Sequence, residues 1–597
     1  MANTLVADFI LARLRQWGVE HVFGYPGDGI NGILGAWNRA DDQPRFVQAR
    51  HEEMAAFEAV GYAKFTGRIG VCMATSGPGA IHLLNGLYDA KMDHVPVLAI
   101  VGQTSRTAMG SHYQQEVDLI SLFKDVASEY VQMATTSEQF PLLIDRAIRI
   151  ALSERAPTCV IVPSDLQEEP YVAPAHAFKM AETSLDWAPP ELVPDDRQLQ
   201  RAADVLNAGQ KVAILVGQGA RGAAEEVLVA ADLLGTCVSK ALLGKDVLPD
   251  EHPLVAGPIG LLGTKPSWDL MMGCDTLLMV GTSFPYSQFL PDWGQAKAVE
   301  INIDAKMIGI RYPTDVNLVG DARATMARLL PLLKRHEDRE FQEEIKAGIA
   351  DWWKIVEARA HLDADPINPQ FVFWELSSRL PDNAILCSDS GSAANWYARD
   401  VKVRTGMRCS LSGNLATMGP GVPYAVGAKF AHPERPVLAL VGDGAMQMNG
   451  INELITISKY WHEWSDPRLV VLVVNNLDLN QVTWEMRAMA GDPKFEASQD
   501  LPPFPFACYA ESLGLGGILV DRPDQVAKAW DEALSADRPT VIQVVTDPNV
   551  PPLPPHVEKD QAISLLKAIL KGDPGSKEII RQGFKGKLQE FLPHRDS

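Results

Sequence analysis

The residue types and spacing best suited to chemistry lie near position 440. Gly442-Asp443-Gly444 closes the apolar run VLALVGDG, a helical pattern follows, and the next apolar run, LVVLVVNN, closes in Asn475-Asn476, with 30 residues between the motifs. The glycines let backbone N–H groups at a helix start approach a phosphate. A carboxylate and an amide oxygen at adjacent strand ends can share one hard cation, and Mg²⁺ leaves room in its octahedral shell for a carbonyl, diphosphate oxygens and water. The spacing therefore predicts a metal-bridged diphosphate; a helix-capping turn is the alternative reading of Asp443. A second set, Arg50-His51-Glu52-Glu53, opens the helical pattern MAAFEAVGYAKFTG and precedes the turn TSGPGAIHLLNGL. Either glutamate suits a helix N-terminus. A third is the glycine-rich turn SGNLATMGPGVPYAVGAKF.

The elements that must position these residues are short apolar strands alternating with helical patterns, among them HVFGYPG, GVCMATSGPG, VPVLAIVGQ, VAILVGQG, TLLMVGTS and NAILCSDS. Continuous rather than alternating apolar strands predict sheets covered on both faces, an α/β class with parallel sheets and ligands beyond the strand carboxyl ends. At 597 residues the chain accommodates about three to five domains. Pro-rich and charged stretches at 171–200 and 336–370 place domains at 1–175, 190–340 and 365–550, with a tail at 551–597. A faint echo between HLLNGLYDA…VPVLAIVGQ and MNGINELIT…LVVLVVNN predicts two related halves flanking a Rossmann-like middle domain. The formal net charge of −21 argues against a nucleic-acid-coating role. No apolar run is long enough to span a membrane. Seven scattered cysteines without a C-x-x-C pair fit a reducing compartment, so a cytoplasmic enzyme is expected.

The GDG…NN pair, with the RHE motif, resembles the signature of the thiamine diphosphate (ThDP)-dependent decarboxylase and synthase superfamily, and the resemblance covers nearly the whole chain. It implies that Asp443, Asn476 and the carbonyl of Asp478 hold Mg²⁺, with the diphosphate over Gly442, Gly444 and Ala445. It implies Glu52 as the acid at N1′ of the aminopyrimidine, Met418 as the wedge that bends the cofactor, and the Ala416 carbonyl as acceptor from the 4′-amino group. It further implies a homodimer at minimum, usually a homotetramer, with Glu52 and the Mg²⁺ site drawn from different subunits.

Within the superfamily, GSHYQQEVD has one His112 where aldehyde-releasing decarboxylases carry a His-His pair, and it more closely resembles oxidases and acetolactate synthases, with Gln115 facing substrate. Gln114 replaces the usual Phe. In LDLNQVTWEMRAM, Glu485 matches the pyruvate oxidase glutamate and Val482 the aliphatic position above the thiazolium; a one-residue register shift would put Trp484 where acetolactate synthases have Trp. KALLGKD, GPIGLLG, VGTSFPYSQFLP, EINID and LVGDA resemble the FAD-binding domain of quinone-reducing pyruvate oxidases, implying FAD near Gly217, Gly219, Gly281, Thr282, Gly320, Asp304 and Asp321. Leu243 stands where relatives often have Arg. Ile580, Phe584, Leu588 and Phe591 form an apolar stripe in a tail that carries eight Lys and Arg against six Asp and Glu from Glu558 onward. That tail suits peripheral contact with the inner face of a membrane, or packing on its own subunit. The expected activity is oxidative decarboxylation of a small 2-oxo acid, pyruvate first, with electrons passing to FAD and on to a quinone or other acceptor. The alternative is an acetolactate synthase-like carboligase in which FAD is structural or absent. A non-catalytic paralogue would require loss of Glu52 or of the metal motif, and both are present.

Overall fold

The computed structural model describes residues 4–173, 183–552 and 559–582. It contains three six-stranded, all-parallel sheets flanked by helices. The first holds β1 (His21–Gly24), β2 (Arg45–Gln48), β3 (Gly70–Ala74), β4 (Val97–Gln103), β5 (Val131–Met133) and β6 (Pro157–Pro163), in the order β2-β1-β3-β4-β6-β5. The second holds β7 (Val212–Val216), β8 (Val238–Lys240), β9 (Val255–Pro258), β10 (Thr276–Val280), β11 (Lys297–Asn302) and β12 (Val316–Val319), in the order β12-β11-β10-β7-β8-β9. The third holds β13 (Ile385–Ser388), β14 (Arg408–Ser410), β15 (Val437–Gly442), β16 (Leu469–Asn475), β17 (Gly516–Val520) and β18 (Thr540–Val545), in the order β14-β13-β15-β16-β18-β17.

Strand for strand, the first and third sheets have one connectivity, as the sequence echo implies. The middle sheet is doubly wound: its halves run outward from neighbouring β7 and β10, which puts a topological switch point between their carboxyl ends. The central strands β4 and β6 are buried at every position, which is why they read as unbroken apolar runs. The charged stretch after 336 forms the helix Glu340–Ala360 between the second and third sheets. No helix among the described residues is long and apolar enough to cross a membrane. Of the tail stripe, Ile580 is exposed, and Phe584, Leu588 and Phe591 lie outside the described residues.

The outer sheets meet through two helices, Glu52–Thr66 and Gly421–Ala431. Both are buried around most of their circumference, and their crossing is too close for side chains. A Cβ on Gly427 would fall 2.2 Å from the Glu58 carbonyl oxygen, and one on Gly61 would fall 2.8 Å from the Tyr424 Cα. Beside this crossing, Glu58 meets Glu453 of the helix Ile451–Tyr460. Both are fully buried, and neither oxygen of Glu58 has a hydrogen-bond donor. Burial pushes both carboxyls up; Glu453 raises Glu58 further by charge and hydrogen bonding, the same hydrogen bond lowers Glu453, and Arg50 opposes the shift in both.

The native pair therefore retains a proton that the unfolded glutamates, at about pH 4.3, release. Because the native state binds more protons, stability is present in full below that value and is lost as pH rises through the raised native range. Glu58→Gln donates an N–H to Glu453 in place of the shared proton. Thermal melts from pH 5 to 8 should show a falling midpoint in the wild type and a flatter profile in Glu58→Gln; parallel profiles would refute a shared proton.

Candidate active site

β15 and β16 are adjacent with Gly442 opposite Val474, so Asp443 and Asn475-Asn476 leave the sheet side by side. The chain turns from Gly442 straight into a helical run, Asp443–Ala445, then Met446–Gly450, then Ile451–Tyr460. Gly442 is extended, and a Cβ there would meet nothing within 4 Å, so the helix start faces open space. That is the geometry in which free N–H groups and the helix dipole receive an anion.

Asp443 is 2 % exposed and accepts from the backbone N–H groups of Gly444 (2.9 Å), Asn476 (2.9 Å) and Leu477 (2.6 Å). Burial nonetheless pushes its carboxyl up to about 6 against those lowering bonds. Leu477 holds φ 56°, a left-handed conformation uncommon without glycine, and this bends the loop around Asp443. The Asn476 Oδ1 accepts from the Asp478 N–H at 3.1 Å. The Asp478 carboxylate is taken up by Thr483, Asn480 and Lys494, so its main-chain carbonyl, which accepts from the Asn480 N–H at 2.7 Å, is the group left with a lone pair for another partner. Asn475 Oδ1 is buried without a donor. A buried carboxylate, an amide oxygen and a carbonyl form a hard-oxygen set, and they fit Mg²⁺.

Met418 lies over this turn: a Cβ on Gly444 would sit 2.6 Å from Leu479 Cδ2 and 3.5 Å from the Met418 methyl carbon. The Met418 loop is pinned by buried Asp389, which accepts from Ser390, Gly419 and Gly421, and Ala416 within it is left-handed at φ 52°.

Glu52 opens its helix and is 7 % exposed. His51 is the N-cap, accepting the Glu53 N–H at 3.2 Å. The Glu52 Oε2 lies 3.0 Å from His82 Nδ1, and Oε1 lies 3.0 Å from where a Gly79 Cβ would stand. Gln115, at φ 61°, packs on the same turn and accepts from the Ser76 hydroxyl at 2.9 Å. Glu53 instead binds Asn85, which also reaches Thr417 of the third domain, a structural tie. The motif reading missed the histidine pair here: His51 and His82 come from different elements, with ring centroids 4.4 Å apart. Among the described residues, no hydrogen bond or ion pair joins the Glu52 set to the Asp443 set.

The Asn480–Glu485 helix turns Trp484 and Glu485 to different surroundings. Trp484 is buried, with its indole N–H on the Pro548 carbonyl at 3.2 Å, whereas Gln481 and Glu485 line a cavity. Glu485 accepts from Gln481 (3.0 Å), which accepts from Asn395 (2.7 Å); neither Gln481 nor Asn395 was anticipated. Val482 is exposed on the same helix.

That cavity, about 280 Å³, is walled by Leu242, Leu243, Phe284, Gly217 and Ala416. It abuts a second of about 390 Å³ that takes in Gly219, Gly281, Thr282, Gly320, Asp304 and Asp321; Gln218, Thr282 and Ser283 belong to both. Together they follow the switch point of the middle sheet. The glycines work differently from the expectation of contact with a ligand alone. A Cβ on Gly217 would lie 2.5 Å from the Gly281 oxygen, and one on Gly281, at φ +57°, would lie 2.5 Å from the Gly219 carbonyl carbon, so two loops pack backbone to backbone. Asp321 caps the helix Ala322–Leu329 through the Ala324 N–H, and Asp304 accepts the Lys306 N–H. Leu243 packs on Gly413.

A hard-oxygen set at a helix start, an acid with two histidines on a sheet of the same connectivity, and a doubly wound sheet between them define a three-domain α/β cofactor enzyme. The chain belongs to the thiamine pyrophosphate enzyme family: the N-terminal TPP-binding domain matches residues 4–122, the central domain 199–329 and the C-terminal TPP-binding domain 389–544. It is 37% identical over 571 residues, 96% of either chain, to the putative thiamine pyrophosphate-containing protein YdaP of Bacillus subtilis. It is 32% identical over 572 residues to a probable acetolactate synthase large subunit of Methanocaldococcus jannaschii, covering 92% of this chain and 93% of that one. It is also 32% identical over 464 residues to the pyruvate oxidase of Lactiplantibacillus plantarum, covering 77% and 75%. The chain is therefore a ThDP-dependent enzyme.

Gly281→Ala both strains φ and drives a methyl into the Gly219 backbone, at an expected cost of about 1–3 kcal/mol. A melt should show the midpoint lowered by about 5 °C; an unchanged midpoint would contradict the backbone-to-backbone packing.

Proposed function

We propose that this enzyme decarboxylates a small 2-oxo acid, pyruvate first, and passes the electrons to FAD. The observation that carries the reading is the placement of Glu485, backed by Gln481 and Asn395, on an apolar cavity continuous with the dinucleotide-type cavity of the middle sheet, while Trp484 is turned into the core. The two adjoining cavities would take FAD, with its ring end among Leu242, Leu243 and Phe284 and its nucleotide end near Asp304. A carboligase is the second reading, favoured by the match to an acetolactate synthase over more than nine-tenths of the chain.

ThDP, when bound, supplies the carbon nucleophile and the electron sink for loss of CO₂. The residues of the chain do the rest. Asp443, Asn476 and the Asp478 carbonyl would hold Mg²⁺, with the Gly442, Gly444 and Ala445 backbone beside the diphosphate. Met418 and the Ala416 carbonyl would orient the cofactor. Glu52 holds and returns a proton at its carboxylate, and His82 sits in reach of the same oxygen. Gln115 faces substrate from the Ser76 side, Val482 stands above the thiazolium, and the leucine wall keeps the cavity apolar. Because Glu52 and Asp443 are not in contact within one chain, we infer a homodimer as the smallest active unit, with a homotetramer as the larger form. We also infer a cytoplasmic protein whose tail can meet the inner face of a membrane, where a quinone would accept electrons.

Pyruvate turnover with and without a dye or quinone acceptor separates the readings. Acetate made only with acceptor, with anaerobic bleaching of a bound flavin, is expected; acetolactate without acceptor, or a colourless protein, would overturn the redox half. In the same assay Glu52→Gln should bind ThDP yet lose at least about 100-fold in rate.

A further inference from the structure

We propose that His51, Glu52 and His82 form a transition-metal site, chemically distinct from the hard-oxygen set at Asp443, and that Zn²⁺ bound there inhibits the enzyme by ligating the Glu52 carboxylate. The three side chains converge from two elements: His51 and Glu52 open one helix and His82 ends another, Pro78–His82. One ligand atom from each lies within 4.8 Å of the other two. Two imidazoles and one carboxylate form the set that zinc takes at sites with an open position, whereas Mg²⁺ prefers oxygen throughout.

The geometry is close to what a metal needs. Zinc bonds of about 2.0–2.2 Å at tetrahedral angles set ligand atoms about 3.3 Å apart, and Glu52 Oε2 already stands 3.0 Å from His82 Nδ1. His51, whose ring lies 4.4 Å from that of His82 and is tilted by 31°, must close the remaining gap. Its Nδ1 caps Glu53 at 3.2 Å, so ligation through Nε2 leaves that cap in place. Within one chain the His82 side chain is 42% exposed while that of Glu52 is 9%.

The inhibitory consequence rests on the role of Glu52 proposed above; the binding itself does not. The test is calorimetric titration of ZnCl₂ into the untagged, chelator-stripped full chain with Mg²⁺ in excess to occupy the oxygen set, repeated with Co²⁺ as a visible-absorption probe. One ion per chain is expected, with affinity lowered at least about tenfold in His82→Gln and in His51→Asn, which keeps a capping side chain, and with added ThDP competing against zinc. No zinc bound beyond the Mg²⁺ equivalents, or unchanged zinc affinity in both variants, would overturn the site. Zinc bound as expected but without effect on turnover would overturn the inhibition, and the Glu52→Gln rate then decides whether the role of Glu52 falls with it.

Discussion

The structure depends on a helix crossing that only glycine permits. Gly427 meets the Glu58 carbonyl and Gly61 meets the Tyr424 backbone, so the helix that opens with Glu52 lies flat on the helix that follows the Met418 loop. Any Cβ at these two positions would push the first and third sheets apart. Polar groups lock the same contact. Buried Lys64 pairs with Asp93 at 2.7 Å, and Asp93 also accepts from Gly413 (2.9 Å) and Asn414 (2.8 Å) at the entry to the Met418 loop. Its carbonyl accepts from Gln218 of the middle domain at 2.7 Å. One acidic residue is thus bonded from all three domains, and the wedge, the cavity wall and the acid at position 52 keep a fixed relation through it. Truncating such a buried, paired carboxylate strands a buried ammonium, which makes this node costly to break.

Much of the fold was legible because its central strands announce themselves. Runs such as LVVLVVNN and VPVLAIVGQ are apolar at every position since both faces are covered, and their polar endings mark the carboxyl edge. The shorter strands were not legible. Val131–Met133, Arg408–Ser410 and Val316–Val319 are three or four residues long with polar members, and pairing with a neighbour rather than their own composition makes them strands.

The site shows the same division. Asp443 and Asn476 could be paired from sequence because adjacent parallel strands bring their ends together at a spacing set by one crossover. His82 could not be paired with Glu52, 30 residues away, because their contact depends on where a short turn helix points. His51 and His82, whose rings do meet, lie on elements far in sequence from the loop around His112. Likewise Trp484 and Glu485 are neighbours in sequence, and only burial tells which of them sees the cavity.

The two ends of the proposed site use opposite chemistry, hard oxygens at one and an acid with imidazoles at the other, and no bond within a described chain links them. A crystal structure of the full chain with ThDP and Mg²⁺ tests this most directly. Mg²⁺ is expected on Asp443, Asn476 and the Asp478 carbonyl, the diphosphate over Gly442–Gly444, and the aminopyrimidine against Glu52 of a second copy. A cofactor bound without contact to Asp443, or one whose ring meets Glu52 of the same chain, would contradict it.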